Sequence, residues 1–245
     1  MKKFAVCFSG YPRFVRECFG GIKKNFLDGL GEYDVYANFQ WNDDWQNTPI
    51  HHEFADKYGK DELSEFIELY TPLNLKDIKV IQPYNFDTSF YDKLSAEPDM
   101  VFETVEKSRS QFYRSKCQYQ GISDCVKLVD PNDYEFIVRI RTDSIFHSEL
   151  DFSQLETNNI LCQDGYEAGW DRHYSDWFFI VPTNKINFFH DLANVEEHYK
   201  NGIIHMHKLV EKVGKPYNIE HHQFNATTAS ICSYKNTEKF LEIKK

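Results

Sequence analysis

The 245-residue chain has no apolar run long enough to cross a bilayer. Runs such as Phe4 to Phe8 (FAVCF) and Trp177 to Val181 (WFFIV) stop after a few residues, whereas a spanning helix needs about 20. The first of them is too short for the apolar segment of a signal peptide and is soon followed by Pro12 and Arg13, so a soluble protein is expected. Basic residues are also in short supply. Lys and Arg number 28 against 38 Asp and Glu, a net charge of -10. That balance excludes a nucleic-acid backbone as the main partner, because such a partner calls for a basic face; a local basic pocket is still compatible with it. Finally, the six cysteines (Cys7, Cys18, Cys117, Cys125, Cys162 and Cys232) contain no CxxC pair. They imply no zinc site and read as reduced core residues in a cytosolic compartment. Internal repeats and low-complexity segments are absent as well.

Aromatic residues, in contrast, are abundant: 21 Phe and 15 Tyr against 3 Met. They suit a core and a sugar-stacking cleft equally, so their number decides nothing. The length fits one domain. Along it, Lys3 to Phe8 reads as a strand ending in SGYPR, and Val15, Cys18, Phe19, Ile22 and Phe26 then form a helical stripe closed by Gly29 and Gly31. Tyr33 to Phe39 reads as a second strand. Leu63, Phe66, Ile67 and Tyr70 mark a helix before Pro72, and Ile78 to Ile81 a third strand. Gln82 to Met100, polar and aromatic with two prolines, reads as an irregular loop. A long helix bearing Phe112, Tyr119, Ile122 and Val126 on one face follows. After the central stretch described next come strands at Ile160 to Gln163 and Trp177 to Val181, a stripe from Ile186 to Tyr199, and a shorter one from Met206 to Val213. The alternation predicts an α/β fold: a mostly parallel twisted sheet with helices on both faces and a less regular C-terminal part.

The stretch from Asp133 to Phe146 (DYEFIVRIRTDSIF) organises the rest. Phe136, Ile137, Val138 and Ile140 have the pattern of a buried strand, which then turns polar. Were it to stay extended, Arg139, Arg141 and Asp143 would share one side. Ligands of open α/β sheets bind at the carboxyl ends of strands, so this cluster is the first candidate site. Asp143 could equally neutralise an arginine and cap the following turn. The second candidate is SGYPR between the first strand and helix. There Gly10 permits close backbone approach, the helix N-terminus favours an anion and Arg13 adds a planar cation, with Ser9 a donor-binding candidate beside them; a plain tight turn would also explain Gly10 and Pro12.

CFSGYPR, RSQFYRSKCQYQG, EFIVRIRTDSIF and YSDWFFIV, in that order, resemble nucleotide-sugar glycosyltransferases of the GT-A fold, in particular poorly characterised ones of large viruses, phages and bacterial surface-polysaccharide clusters. The resemblance runs from Lys3 to about Pro182 and implies one domain, 1–245, with a nucleotide-binding half (1–146) and an acceptor-side half (147–245). It implies transfer of a sugar from a UDP- or GDP-sugar to a glycan hydroxyl, in the cytoplasm, host cytoplasm if viral. In that family an Asp-x-Asp holds Mn or Mg; here the matching tripeptide is Arg141-Thr142-Asp143, so only the second carboxylate is present. Asp143 is thus the expected metal ligand, with His222 of the His221-His222 pair as a further one. The alternative is that Arg141 itself neutralises the diphosphate. Asp176 matches the residue facing the acceptor and is the candidate base, with Asp171 next and Glu220 third. Arg109, Gln111 and Lys116 on the long helix are candidate donor contacts. Two other readings stay open: a binding module that has lost catalysis, and a nucleotidyltransferase, which would need two metal-holding carboxylates.

Overall fold

The computed structural model describes residues 3–41, 61–87, 105–146, 149–150, 152, 155, 158–165, 173–200, 206–222 and 229–231. β1 (Lys3–Gly10) leads into α1 (Val15–Ile22), a π-helical turn (Lys23–Leu27), the short α2 (Asp28–Leu30) and β2 (Glu32–Gln40). α3 (Glu62–Tyr70) and β3 (Leu75–Ile81) follow, then α4 (Val105–Val126), β4 (Phe136–Ile140), β5 (Ser144–Phe146), β6 (Ile160–Gly165) and β7 (His173–Pro182). The described chain continues with α5 (Asn187–Ala193), α6 (Val195–Lys200), α7 (Met206–Gly214), β8 (Ile219–His222) and β9 (Ala229–Ile231).

Seven strands form one sheet in the order β3-β2-β1-β4-β7-β6-β8. All neighbours are parallel except β7, which runs against both β4 and β6. β5 and β9 pair antiparallel in a separate small sheet. The expected α/β class is therefore the observed one, and β8 carries the C-terminal half into the same sheet as β1.

Burial on both faces explains why the strand sequences are almost continuously apolar. Phe4, Val6 and Phe8 of β1 pack into a layer with Val15 and Cys18 of α1 and Phe66 and Tyr70 of α3. Ala5 and Cys7 face the opposite layer, filled by α4 (Phe112, Tyr119, Ile122), α5 (Phe188, Leu192), α6 (Val195, Tyr199) and α7 (Leu209, Val213). The five described cysteines are free and buried. No helix among the described residues is long and apolar enough to cross a membrane.

Two sequence expectations change in detail. The stretch 133–146 is not one strand: pairing ends at Ile140, residues 141–143 turn, and Ser144 N–H donates to Arg141 C=O at 3.3 Å. Arg139 therefore does not join Arg141 and Asp143 on one side. It is 1% exposed and pairs in register with Cys7, whose side chain lies in the α4-side layer. The stripe 186–199 is likewise two helices, separated at Asn194 with ψ 43°.

Close packing makes two glycines unequal. A Cβ on Gly214 would lie 2.6 Å from Ile219 Cγ2, whereas one on Gly121 would meet its nearest neighbours at 3.7 Å or more. Gly214→Ala is expected to lower unfolding free energy by about 1–3 kcal/mol through overpacking. Gly121→Ala should cost nothing measurable in the same denaturant titration, because helix propensity favours alanine by about 0.8–1 kcal/mol.

Candidate functional site

β1 and β4 are adjacent and parallel, so the segments leaving them emerge at the same edge of the sheet. There Arg141 donates from Nε to Asp143 Oδ1 and from Nη2 to Oδ2, both at 2.8 Å. Arg13 Nη2 approaches Oδ2 at 2.8 Å from the β1–α1 loop. Asp143 is 2% exposed, while the Arg13 and Arg141 side chains keep 24% and 17% exposure. Burial alone would push the Asp143 carboxyl up; the guanidiniums of Arg141 and Arg13 outweigh it and hold the group at about 2. Among the described residues, two guanidiniums meet on this one carboxylate.

The loop bearing Arg13 is fixed at several points. Its backbone N–H donates to Thr142 Oγ1 at 2.9 Å. Gly10 has φ 107°, a conformation that favours glycine, and a Cβ there would meet nothing within 4 Å among the described residues. Phe14 is left-handed at φ 51°. The N–H groups of Phe14 and Val15, which start α1, donate at 2.9 and 2.8 Å to the Glu62 carboxylate of α3. A helix start leaves such groups unpaired and partly positive, so the anion expected at this N-terminus is supplied by the chain itself. Glu62 is 6% exposed, and burial pushes its carboxyl up to about 7 against the pull of the two N–H groups.

On the α4 side, Asn38 Nδ2 donates to Gly121 C=O at 3.2 Å, and Tyr84 ties the segment after β3 to the sheet through its N–H to Gln40 Oε1 (3.3 Å) and its hydroxyl to Asp124 Oδ2 (2.7 Å). Among the described residues, Ser9 Oγ and Asn38 Oδ1 are buried without a hydrogen-bond partner; β1 and β2 pair these two residues in register.

The other sequence candidates fall in several places. Lys116 pairs with Glu196 of α6, and its ammonium lies 4.3 Å from the Phe86 ring centroid, tying α4 to α6 instead of joining the arginines. Arg109 and Gln111 lie on α4 at positions whose side chains are outside the description. Asp176 lies within β7 and not at its head. Phe179 pairs with Arg139, and Asp176 is three residues further toward the arginine edge, roughly 10 Å at the usual strand rise. His222 ends β8 three strands from β4, roughly 14 Å across the sheet. Glu220 is exposed and, with Asn159, Glu211 and Lys215, lines an open groove of about 530 Å³ away from the arginine edge. Asp171 lies outside the described residues.

Asp143 does not fit the role of a metal ligand. A carboxylate offers about four lone-pair sites. Here Arg141 takes two and Arg13 one, and a metal ion at the fourth would sit beside two guanidiniums. Among the described residues no group of three or more His, Cys, Asp or Glu could hold a metal ion.

Two residues of this site escaped the sequence reading. Thr142 lay between the two charged candidates. Glu62 carried a usable signal: with Phe66 and Tyr70 it occupies a four-residue spacing on the buried stripe of α3, where a carboxylate is out of place unless it has partners.

Comparison with known proteins gives no matching family model and no matching curated protein. Among solved structures, the chain is similar to the glycosyltransferase GlyE of Streptococcus pneumoniae TIGR4, with 12% identity and a TM-score of 0.44 over 91% of this chain and 46% of that one. The present chain thus spans less than half of that protein's length.

The two buried carboxylates should titrate with opposite signs. Glu62, raised from 4.5 to about 7, binds its proton more tightly when folded. Its stabilising contribution is full below pH 4.5 and is lost as pH rises through about 7, on the order of 2–3 kcal/mol. Glu62→Gln should flatten that slope in urea titrations from pH 5 to 8. Asp143, lowered from 3.8 to about 2, stabilises above pH 3.8 and loses this as pH falls through 2. Asp143→Ala should cost about 3–5 kcal/mol at neutral pH, with the deficit narrowing in acid; equal deficits at pH 7 and pH 2 would contradict the paired geometry.

Proposed function

We propose that this chain is a glycosyltransferase that moves a sugar from a nucleoside-diphosphate donor to a hydroxyl of a glycan. The observation that carries the reading is the pair of guanidiniums, Arg13 and Arg141, held on one buried carboxylate at the carboxyl edge of adjacent parallel strands. Open α/β sheets bind ligands at that edge. As a glycosidic bond to a diphosphate breaks, negative charge grows on the departing phosphate oxygens. Planar cations fixed before the reaction stabilise that charge without having to reorganise. Among the described residues nothing lies within 4 Å of where a Gly10 Cβ would be, which suits a donor beside them. The order of the four sequence motifs supports the same reading.

In this reading Asp176 is the base that takes the proton of the acceptor hydroxyl, since β7 carries it toward the arginine edge. A nucleotidyltransferase finds no support in Asp143, whose two oxygens both meet guanidiniums. A binding module without catalysis would share the arginine pair and differ in having no group that acts on an acceptor. Free buried cysteines suit a reducing cytoplasm.

Purified protein incubated with UDP- and GDP-sugars and glycan acceptors should release one nucleoside diphosphate in step with transfer. Asp176→Ala should lower the transfer rate by about 10²–10⁴-fold while nucleotide affinity stays within a few-fold, because a base acts only in the chemical step. Full activity in that variant would remove Asp176 from the mechanism. Nucleotide binding with neither hydrolysis nor transfer across the donor panel would favour the binding module.

A further inference from the structure

The geometry points to a cation-independent diphosphate clamp, in which Arg13 and Arg141 take the place of a divalent metal and Asp143 is their positioning residue. The clamp rests on the donor reading above and specifies how that donor's charge is met.

Three observations lead to it. First, both oxygens of the carboxylate that would hold a metal already meet guanidiniums: Arg141 Nε and Nη2 and Arg13 Nη2, each at 2.8 Å. A divalent ion placed there would sit beside two cations within a few ångströms, a repulsion that grows as water is excluded. Second, the other ordinary place for a phosphate, the N-terminus of α1, is filled by Glu62, whose carboxylate accepts from Phe14 and Val15. A donor phosphate there would meet a carboxylate instead of free N–H groups. Third, Arg13 has donor capacity to spare. Its side chain keeps 24% exposure, Nη2 is the atom that meets Asp143, and among the described residues its Nε has no hydrogen-bond partner. A guanidinium anchored through one nitrogen, and still partly exposed, keeps N–H groups in a fixed plane for a phosphate.

Asp143 thus does for the arginines what a buried carboxylate does for any cation near a binding site. It fixes their planes and holds both at the same edge of the sheet. Binding of a diphosphate then needs no ion to be recruited from solution.

The test is isothermal titration calorimetry of inorganic pyrophosphate in EDTA, and of UDP and GDP in EDTA and in Mn, with wild type and Arg13→Gln. Arg13 is partly exposed, so this variant avoids leaving a buried charge unpaired. Expected are pyrophosphate binding in EDTA that Arg13→Gln weakens about tenfold or more, and binding of one nucleotide whose Kd changes less than about threefold on adding Mn. A nucleotide that binds in Mn and not in EDTA would overturn the clamp while leaving the donor reading intact. Pyrophosphate binding in EDTA that ignores Arg13→Gln, or no such binding at all, would overturn the clamp as well. Pyrophosphate binding that depends on Arg13, with neither nucleotide binding under either condition, would sustain the clamp and overturn the donor reading.

Discussion

A carboxylate almost wholly withdrawn from water stays ionised only while cations hold it, and at Asp143 that requirement sets the layout of the sheet's carboxyl edge. One cation arrives from the turn that ends β4 and the other from the loop that ends β1, 128 positions earlier by subtraction of 13 from 141. The two can meet because parallel pairing of adjacent strands brings both exits to one edge. Thr142 adds a hydrogen bond to the backbone of Arg13, so the two loops are joined through main chain and side chain alike. Removing the carboxylate takes from both guanidiniums the anion they share, and removing the Thr142 hydroxyl takes from the Arg13 N–H its acceptor. The cluster is therefore as much a structural joint as a candidate site.

Glu62 has a comparable role on the face of the sheet that α1 and α3 cover. It reaches from the first turn of α3 to the first N–H groups of α1 and so links the two helices. Phe14, in a left-handed conformation that costs a non-glycine residue of order 1 kcal/mol or more, is held there by one of these hydrogen bonds. The conformation of the loop is thus fixed from both ends: at Arg13 by β4's exit and at Phe14 by α3. A loop restrained in this way keeps its guanidinium where Asp143 needs it.

Much of the fold was legible because the hydrophobic pattern that buries a strand on two faces differs from the one that buries a helix on one. Phe4 to Phe8, Tyr33 to Phe39 and the stripe Val15, Cys18, Ile22 are examples in which local pattern and tertiary burial agree. The site was legible by residue type but not by arrangement. Arg13, Arg141 and Asp143 could be singled out, yet alternation along a presumed strand put Arg139 beside them, and the turn at 141–143 breaks that parity. Lys116 read as a donor contact because a cation on a helix face carries no mark of its partner; Glu196, far along the chain, supplies it. Partnerships of this kind depend on which elements the topology brings together, and periodicity contains no such information.

The single reversed strand, β7, has a consequence for how such a chain can diversify. Since β6 ends and β7 begins at the arginine edge, their connection, residues 166–172, starts and finishes there. Changes of length or composition in a hairpin connection leave the pairing on either side intact. The pairing that sets Arg13 and Arg141 side by side lies in β1 and β4, so it does not depend on the length of that connection.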